Sequence, residues 1–187
     1  MNMFCFQCQE TARGTGCTVK GVCGKDPQTA AYMDVLLYAV RGIAIVNRTL
    51  REKGTADNEI DHFVLDALFC TITNANFDDE AIIVRIKKAF EIKNILVGTA
   101  KKRNIALPDM PEVAYFVSEE NYLAEAAEVG VLSEPNEDLR SLKQMVIYGV
   151  KGAAAYTEHA LNLGFEDHDI YAMIENALVE ISRSDIS

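Results

Sequence analysis

The strongest constraint on this chain is its match to itself at a fixed distance of 110 residues. Between positions 38 and 68, nine of 31 residues equal the residue 110 positions later, against roughly two expected from ordinary residue frequencies. The matches include two glycines and an aspartate, which helical amphipathicity alone would not place at one offset. They are Tyr38, Val40, Gly42, Ala44, Gly54, Asp57, Ile60, Ala67 and Leu68. We therefore predict a duplicated structural unit.

The spacing of apolar residues predicts that both units are helical. Apolar residues recur at three- and four-residue steps, as in amphipathic helices. Asp26 and Pro27 form a helix start signal, and Gly54 ends the first run. We predict helices near 27–53, 57–75, 78–103, 137–163 and 167–182. The predicted fold class is all-α, with two related helical bundles that follow a cysteine-rich loop.

The repeat also predicts four segments along the chain. Three of the four prolines fall between the units, which marks a connector, with a short helix near 119–129. The segments are a cluster-binding loop at 1–26, a three-helix bundle at 27–106, the connector at 107–136 and a second bundle at 137–187. The second bundle is incomplete, because the counterpart of its third helix would begin at position 188. We favour a piece of a longer product over a connector helix that fills this position.

An incomplete second bundle would leave an apolar stripe uncovered. The stripe consists of Ile170, Ile174, Leu178 and Ile181. Large exposed apolar patches usually have a partner. We expect this stripe to pack against another molecule of the chain, which would give self-association, or against the connector helix.

Four of the five cysteines lie close together in CFQCQETARGTGCTVKGVC, residues 5–23. Two residues separate Cys5 from Cys8, and eight separate Cys8 from Cys17. Five residues separate Cys17 from Cys23. Only the first pair has the spacing that structural zinc sites use twice, whereas longer gaps suit an iron–sulfur cluster, which takes thiolates from separated directions. The spacing favours iron–sulfur, then zinc, then unligated thiols.

The residues around these cysteines suit an anionic cluster. Four glycines, at 14, 16, 21 and 24, would let backbone N–H groups approach the cluster sulfurs. Residues 1–26 carry a net charge of +1, whereas the remainder carries −11. Nearby cations would stabilise a negative cluster. It is equally compatible with the sequence that this charge difference has no function.

Several classes of protein do not fit the sequence. The start, MNMFCFQCQE, has neither a basic region nor an apolar run, and no stretch approaches eighteen consecutive apolar residues. The net charge of −10 argues against nucleic acid or an anionic membrane as the main partner. There is no phosphate-binding glycine loop or dinucleotide fingerprint. We expect a cytoplasmic protein, where clustered cysteines serve metal or redox chemistry rather than disulfides.

Six other residues that could carry chemistry are expected to be structural. The fifth cysteine ends an apolar helical stretch, where a free thiol is usually buried and inert. The three histidines form no metal-ligand pattern and are expected at the surface or at helix caps. Two tyrosines matched in the repeat are expected to pack within the bundles. The six are Cys70, His62, His159, His168, Tyr38 and Tyr148.

The amino-terminal residues resemble a known family. MFCFQCQETARGTGCTVKGVCGKDPQTA is similar to the amino terminus of the hybrid-cluster proteins, also called prismane proteins or hydroxylamine reductases. YGVKGAAAYTEHA, at 148–160, resembles a later stretch of the same amino-terminal domain. In the branch with this short spacing, the resemblance implies a [4Fe–4S] cubane, bound here by Cys5, Cys8, Cys17 and Cys23.

The resemblance also implies a function for a longer protein. Family members reduce hydroxylamine, with nitric oxide as another proposed substrate, at a hybrid iron–sulfur–oxygen cluster held by later domains. This chain would be the electron-transfer domain, with no catalytic residue of its own, since only Cys70 follows Cys23 among its cysteines. Its partners would be the catalytic domains and an electron donor such as a ferredoxin-type protein or a reductase. Alternative hypotheses are a zinc-stabilised interaction module, an iron–sulfur redox sensor and a carbon-monoxide-dehydrogenase-like enzyme.

Overall fold

The protein is all-α, as predicted, in a computed structural model that describes residues 3–55 and 57–184. The helices within these ranges are α1 Pro27–Arg51, α2 Asn58–Cys70, α3 Asp79–Lys102, α4 Pro111–Ala114, α5 Tyr122–Val129, α6 Glu137–Asn162 and α7 His168–Ser182. Short 3-10 turns occupy Ala12–Gly14, Glu119–Asn121 and Val131–Ser133. The predicted loop begins at residue 1 and the predicted second bundle ends at residue 187. Residues 1, 2, 56 and 185–187 lie outside the described residues.

The duplication extends to the residues that start the helices. α1 follows Asp26 and α6 follows Asn136, and each side chain accepts a hydrogen bond from the N–H three residues later. α2 follows Asp57 and α7 follows Asp167, and here each side chain accepts from the N–H two residues later. Such caps satisfy N–H groups that the helix itself leaves unpaired. Equivalent helices therefore begin with the same type of capping hydrogen bond.

The turn inside each helix pair explains one of the two glycine matches, that of Gly54 with Gly164. Gly54 and Gly164 have φ of 75° and 83°, in the left-handed region that favours glycine. After each glycine, the next N–H donates back across the turn, from Thr55 to the Leu50 carbonyl and from Phe165 to the Ala160 carbonyl, both at 3.0 Å. Helix starts, helix ends and turns thus agree with a duplicated α1–α2 and α6–α7 pair.

α2 is shorter than the sequence predicts. It ends at Cys70 rather than near 75, because Thr71 closes its last turn. The N–H and the hydroxyl of Thr71 both donate to the Leu68 carbonyl, at 3.2 and 2.9 Å. The connector contains α5, close to the predicted short helix, and one additional single-turn α-helix, α4.

The two helix pairs pack across each other. α1 packs mainly on α3, and also on α5 and α7, whereas α2 packs mainly on α6. The 110-residue offset relates α1 to α6 and α2 to α7, so the α1–α7 and α2–α6 contacts are equivalent. One hydrophobic core runs from α1 to α7. The four predicted segments describe the order of elements along the chain, and their status as domains stays a prediction.

α1 is the most apolar of the long helices. By length and composition alone it could span a membrane, but 83% of its most apolar window is buried inside the protein. A central helix of a folded core meets the same criterion, and here four other helices pack around α1 besides α2.

The expectation for the apolar stripe of α7 is wrong. Ile174, Leu178 and Ile181 are buried, and only Ile170, at the start of the helix, remains partly exposed. Neither another molecule nor the connector is needed to cover them, because α7 packs on α1 and α6. The crossing of the two helix pairs places the stripe on the core.

The uncovered position lies instead on the outer face of α6. Leu142, Met145 and Tyr156 are 54%, 65% and 81% exposed, and a Cβ on Gly149 or Gly152 would meet open space among the described residues. α1, in contrast, packs against α3, and the counterparts of these five residues in α1 are buried. The counterparts are Tyr32, Val35, Val46, Ala39 and Gly42. The second pair therefore exposes the face equivalent to one that the first pair buries.

A buried polar network joins the two helix pairs. Asn47 of α1 donates to Glu175 of α7 and, at 3.4 Å, to Asp61 of α2. Arg51 pairs with both carboxylates, at 2.5 Å to Asp61 and 3.1 Å to Glu175. Desolvation by burial raises the pKa of Glu175 to about 7, although Asn47 and Arg51 act to lower it. Glu175 is therefore a proton-binding group inside the core.

Glu175→Gln should weaken the dependence of stability on pH. The folded pKa of about 7 exceeds the ordinary value of 4.5, so the native state holds more protons than the unfolded state between these values. Stability should fall as pH rises through this window, by up to about 1.4 kcal/mol per pH unit for this group. Urea denaturation of the wild type between pH 5 and 7.5 should show the fall, and the variant should lose this share of it.

The control for this prediction is Glu180→Gln, which removes an exposed carboxylate from the same helix. It should leave the fall between pH 5 and 7.5 in place. An equal slope in wild type and Glu175→Gln would contradict a raised pKa at this position.

Candidate metal centre

The cysteine-rich loop is closed by a backbone contact between Cys5 and Cys17. The N–H of Cys5 donates to the Cys17 carbonyl at 3.1 Å, and the N–H of Cys17 donates to the Cys5 carbonyl at 2.8 Å. The Thr11 hydroxyl also donates to the Cys5 carbonyl, at 3.1 Å. Cys17 packs with Met3 and with Ala30, in the first turn of α1. The loop is thereby fixed to the central helix.

Cys17 is the most enclosed of the four cysteines in the loop, with 4% of its surface exposed. The N–H of Ala12 points at its Sγ from 3.4 Å, and the Thr11 hydroxyl lies 3.7 Å from it. Burial alone would raise the pKa of this thiol. Two backbone N–H groups, of Ala12 and Val22, together with the Thr11 hydroxyl and the charge of Lys25, hold it below its ordinary value. The environment therefore favours the thiolate, which is the form that binds metal.

Two glycines allow the loop to close tightly. A Cβ on Gly16, whose φ is 136°, would lie 2.7 Å from a ring carbon of Phe4. A Cβ on Gly21 would lie 3.1 Å from Sγ of Cys23. A side chain is therefore excluded at Gly16 by a ring and crowded at Gly21, whereas a Cβ on Gly14 or Gly24 would meet open space. The prediction that all four glycines bring backbone N–H groups to cluster sulfurs stays a prediction.

Cys8 and Cys23 lie nearer the surface than Cys17. Cys8, with Phe6 and Tyr148, lines a recess of about 300 Å³ between the loop and α6. Cys23 is exposed, close in sequence to the exposed side chain of Val22. The candidate centre thus has a buried side at Cys17 and an accessible side at Cys8 and Cys23.

The structure places all four predicted ligands in one loop without gathering three of them around a single point. Among residues 3–55 and 57–184, no three His, Cys, Asp or Glu side chains are arranged to hold one metal ion. Zinc takes sulfurs at about 2.3 Å from one centre, whereas an iron–sulfur cluster receives its thiolates around a larger body. Four free thiols in a closed loop, one of them bonded by a backbone N–H, are a donor set that fits a cluster. The assignment of these cysteines as ligands stays a prediction.

Cys70 and the two tyrosines have different outcomes. Cys70 is buried as expected, accepts a hydrogen bond from Asn76 at 3.3 Å, and has a pKa raised by desolvation. Tyr38 packs edge-on against Tyr115, with ring centroids 4.8 Å apart. The packing expectation is wrong for Tyr148, which is exposed and borders the recess at Cys8. Its face of α6 is the uncovered one.

The histidines have the structural roles expected of them. His62 bonds to Glu166 at 3.0 Å, and His159 packs edge-on against Phe69. His168 is the exposed first residue of α7. In the described residues none of the three belongs to a candidate metal-binding group.

Sequence reasoning missed Lys151, which lies against the loop. Its Nζ donates to Oε1 of Gln7 at 3.3 Å and to the Thr71 carbonyl at 3.1 Å. Gln7 is between Cys5 and Cys8, so Lys151 of α6 holds the part of the loop that carries two candidate ligands. The available indication was its place in the repeat, where it is the counterpart of Arg41.

Comparison with known proteins shows to which family the chain belongs. The chain belongs to the Prismane/CO dehydrogenase family, whose model matches residues 3–187. It is 53% identical over 187 residues to a hydroxylamine reductase of Bacteroides thetaiotaomicron. This alignment covers 100% of the chain and 34% of the relative. The hydroxylamine reductase of Desulfitobacterium hafniense strain Y51 is 44% identical over 190 residues, with 100% of this chain and 35% of the relative covered. The family resemblance is therefore confirmed, and the chain spans about a third of the length of these relatives.

Gly16→Ala should open the contact between Cys5 and Cys17. The added Cβ would meet the Phe4 ring in a backbone conformation that side chains rarely adopt. Hydrogen exchange at the Cys5 and Cys17 amides should become faster, because these N–H groups close the loop. Gly14→Ala is the matched control, since its φ is 69° but its Cβ would meet open space. That control should cost only the roughly 1–2 kcal/mol of a left-handed alanine, and equal exchange in the two variants would contradict the packing role of Gly16.

Proposed function

We propose that Cys5, Cys8, Cys17 and Cys23 bind a [4Fe–4S] cluster, and that this chain is the electron-transfer domain of a hydroxylamine reductase. The observation that carries the proposal is the closed loop, in which four free thiols include one whose Sγ is buried and bonded by a backbone N–H. The family match supports the cofactor class, because prismane-type proteins use iron–sulfur clusters. When bound, the cluster supplies storage and transfer of single electrons.

The loop residues would make the two sides of the centre different, which suits electron transfer from one side to the other. Ala12 and Thr11 orient the Cys17 sulfur on the buried side, where exclusion of water strengthens such hydrogen bonds. Cys8 and Cys23 face the accessible side, which suits contact with a protein electron donor. A ferredoxin-type protein or a reductase is the donor class that we propose. Electrons would enter at this side and leave toward the catalytic part of the protein.

The proposed activity belongs to the longer protein. Relatives three times as long are named hydroxylamine reductase, so we propose hydroxylamine as the substrate and nitric oxide as a second substrate to test. Reduction of hydroxylamine to ammonia and water takes two electrons and two protons, so a one-electron centre would act twice in each turnover. The hybrid catalytic cluster would be held by residues outside this chain. We propose a cytoplasmic location for the protein.

Protein prepared without oxygen should contain iron and acid-labile sulfide in equal amounts. It should be brown and should bleach on reduction, as iron–sulfur proteins do. Cys17→Ser should lose iron while its far-ultraviolet circular dichroism stays nearly unchanged, because the helices have their own hydrophobic core. Cys70→Ala is the matched control, since Cys70 is buried outside the loop, and it should keep its iron.

Two results would count against the cluster. Stoichiometric zinc without sulfide would support the zinc-stabilised module instead. Equal iron in Cys17→Ser and the wild type would remove Cys17 from the ligand set.

The isolated chain should not turn over hydroxylamine. The family resemblance places the ligands of the catalytic cluster in later domains, and only Cys70 follows Cys23 among the cysteines of this chain. Ammonia production by the cluster-loaded chain, with reduced methyl viologen as donor, should not exceed that of free iron–sulfur controls. A faster steady-state rate would show that the chain contains a catalytic site of its own.

A further inference from the structure

Lys151 is buried without a carboxylate in ion-pair contact. It is 2% exposed, and the partners of its Nζ are two neutral oxygens, of Gln7 and of the Thr71 carbonyl. None of the salt bridges among the described residues includes it. Removal of an ammonium from water is costly unless an opposite charge compensates for it. Lys93 is also buried with only carbonyl oxygens as hydrogen-bond partners, and the charge of the Glu112 carboxylate stabilises its ammonium. A nearby anion would stabilise Lys151 in the same way.

The groups around Lys151 leave the site positively charged. Lys25 is also buried and repels it, and Asp34 is the carboxylate that attracts it. Burial raises the pKa of Asp34 to about 7, so this carboxyl is only partly ionised at neutral pH. The sulfurs of Cys5 and Cys70 also lie close enough to raise the pKa of Lys151 when they carry a negative charge, and Cys5 belongs to the loop. Desolvation by burial lowers the pKa of Lys151 to about 8, so Lys151 is still mainly an ammonium at neutral pH. Lys151 and the buried Lys25 thus lie near one weak carboxylate and the cysteine loop.

The repeat provides an internal comparison. Arg41 occupies the equivalent position in α1, and it pairs with the buried carboxylate of Glu112. Lys151 has no such carboxylate. Its side-chain partner is Gln7, a neutral residue of the loop. The cation of α1 is therefore neutralised by a carboxylate of α4, whereas the cation of α6 has no such carboxylate and lies against the loop that carries the thiols.

We propose that Lys151 is a positioning residue and counter-charge for the iron–sulfur cluster, fixing Gln7 of the loop against α6 and raising the reduction potential of the cluster. This inference rests on the proposed function. Four thiolates around a cubane give a negative centre, and one-electron reduction makes it more negative. A fixed cation in a water-poor site stabilises the reduced form more than the oxidised form.

The test compares potentials of cluster-loaded chains that differ in one charge. Lys151→Met and Lys151→Gln remove the ammonium, and the glutamine amide can still donate to the Thr71 carbonyl. Lys151→Arg keeps the charge. Lys143→Met is the control, because it removes a paired lysine from the same helix. Iron and sulfide are measured first, and the potential is then measured by redox titration with electron paramagnetic resonance detection.

We expect Lys151→Met and Lys151→Gln to shift the one-electron equilibrium at least tenfold toward the oxidised form, which is 59 mV. Lys151→Arg and Lys143→Met should stay close to the wild type. If Lys151→Met does not fold, Lys151→Gln carries the test, since it retains a hydrogen-bond donor. Unchanged potentials in a neutral variant with normal iron content would overturn the inference and leave the cluster assignment intact. A wild-type chain without iron and sulfide would overturn the proposed function and this inference with it.

A second readout separates the charge from a merely structural role. In the cluster-free chain, Lys151→Met should unfold at a temperature no lower than the wild type, because it removes an uncompensated buried charge. In the cluster-loaded chain the same variant should be the less stable of the two. Equal destabilisation with and without the cluster would show that Lys151 only packs, and would overturn its role as a counter-charge.

Discussion

The burial of α1 is the constraint on which the rest of the structure depends. α3, α4, α5 and α7 all pack on this helix, and the cysteine loop leads directly into its first turn. Asp26 caps that turn, and Thr29 donates to Asp79 at the start of α3, at 2.7 Å. Ala30 then packs with Cys17. The candidate metal centre is therefore positioned by the most enclosed helix of the protein rather than by a free loop.

The helices could be predicted from the sequence because their ends depend on local chemistry. Asp57 and Asp167 cap equivalent helices, and Gly54 and Gly164 end the preceding ones with the same left-handed turn. The packing could not be predicted in the same way. The stripe that includes Leu178 shows that one face of α7 must be buried, but amphipathicity does not say which helix covers it. That choice depends on how the two helix pairs cross, which is a property of the whole core.

The same distinction applies to the candidate centre. Cysteine spacing predicts that the four ligands lie in one loop, and their assignment as ligands stays a prediction. Lys151 was not predicted, because a single buried lysine has no sequence pattern and only the folded chain brings it to Gln7. The uncovered face of α6 borders the same loop through Tyr148. Both helix pairs thus contribute to the core and to the loop: α1 packs on Cys17 through Ala30, and α6 contacts Gln7 through Lys151.

Mössbauer spectroscopy of the chain reconstituted with iron-57 distinguishes a four-iron cluster in this loop from a two-iron or mononuclear centre. We predict the spectrum of a [4Fe–4S] cubane, whose mixed-valence iron sites become more ferrous on one-electron reduction. It also predicts that this spectrum disappears in Cys17→Ser and persists in Cys70→Ala. A two-iron or mononuclear spectrum, or a cubane spectrum that is unchanged in Cys17→Ser, would contradict the account.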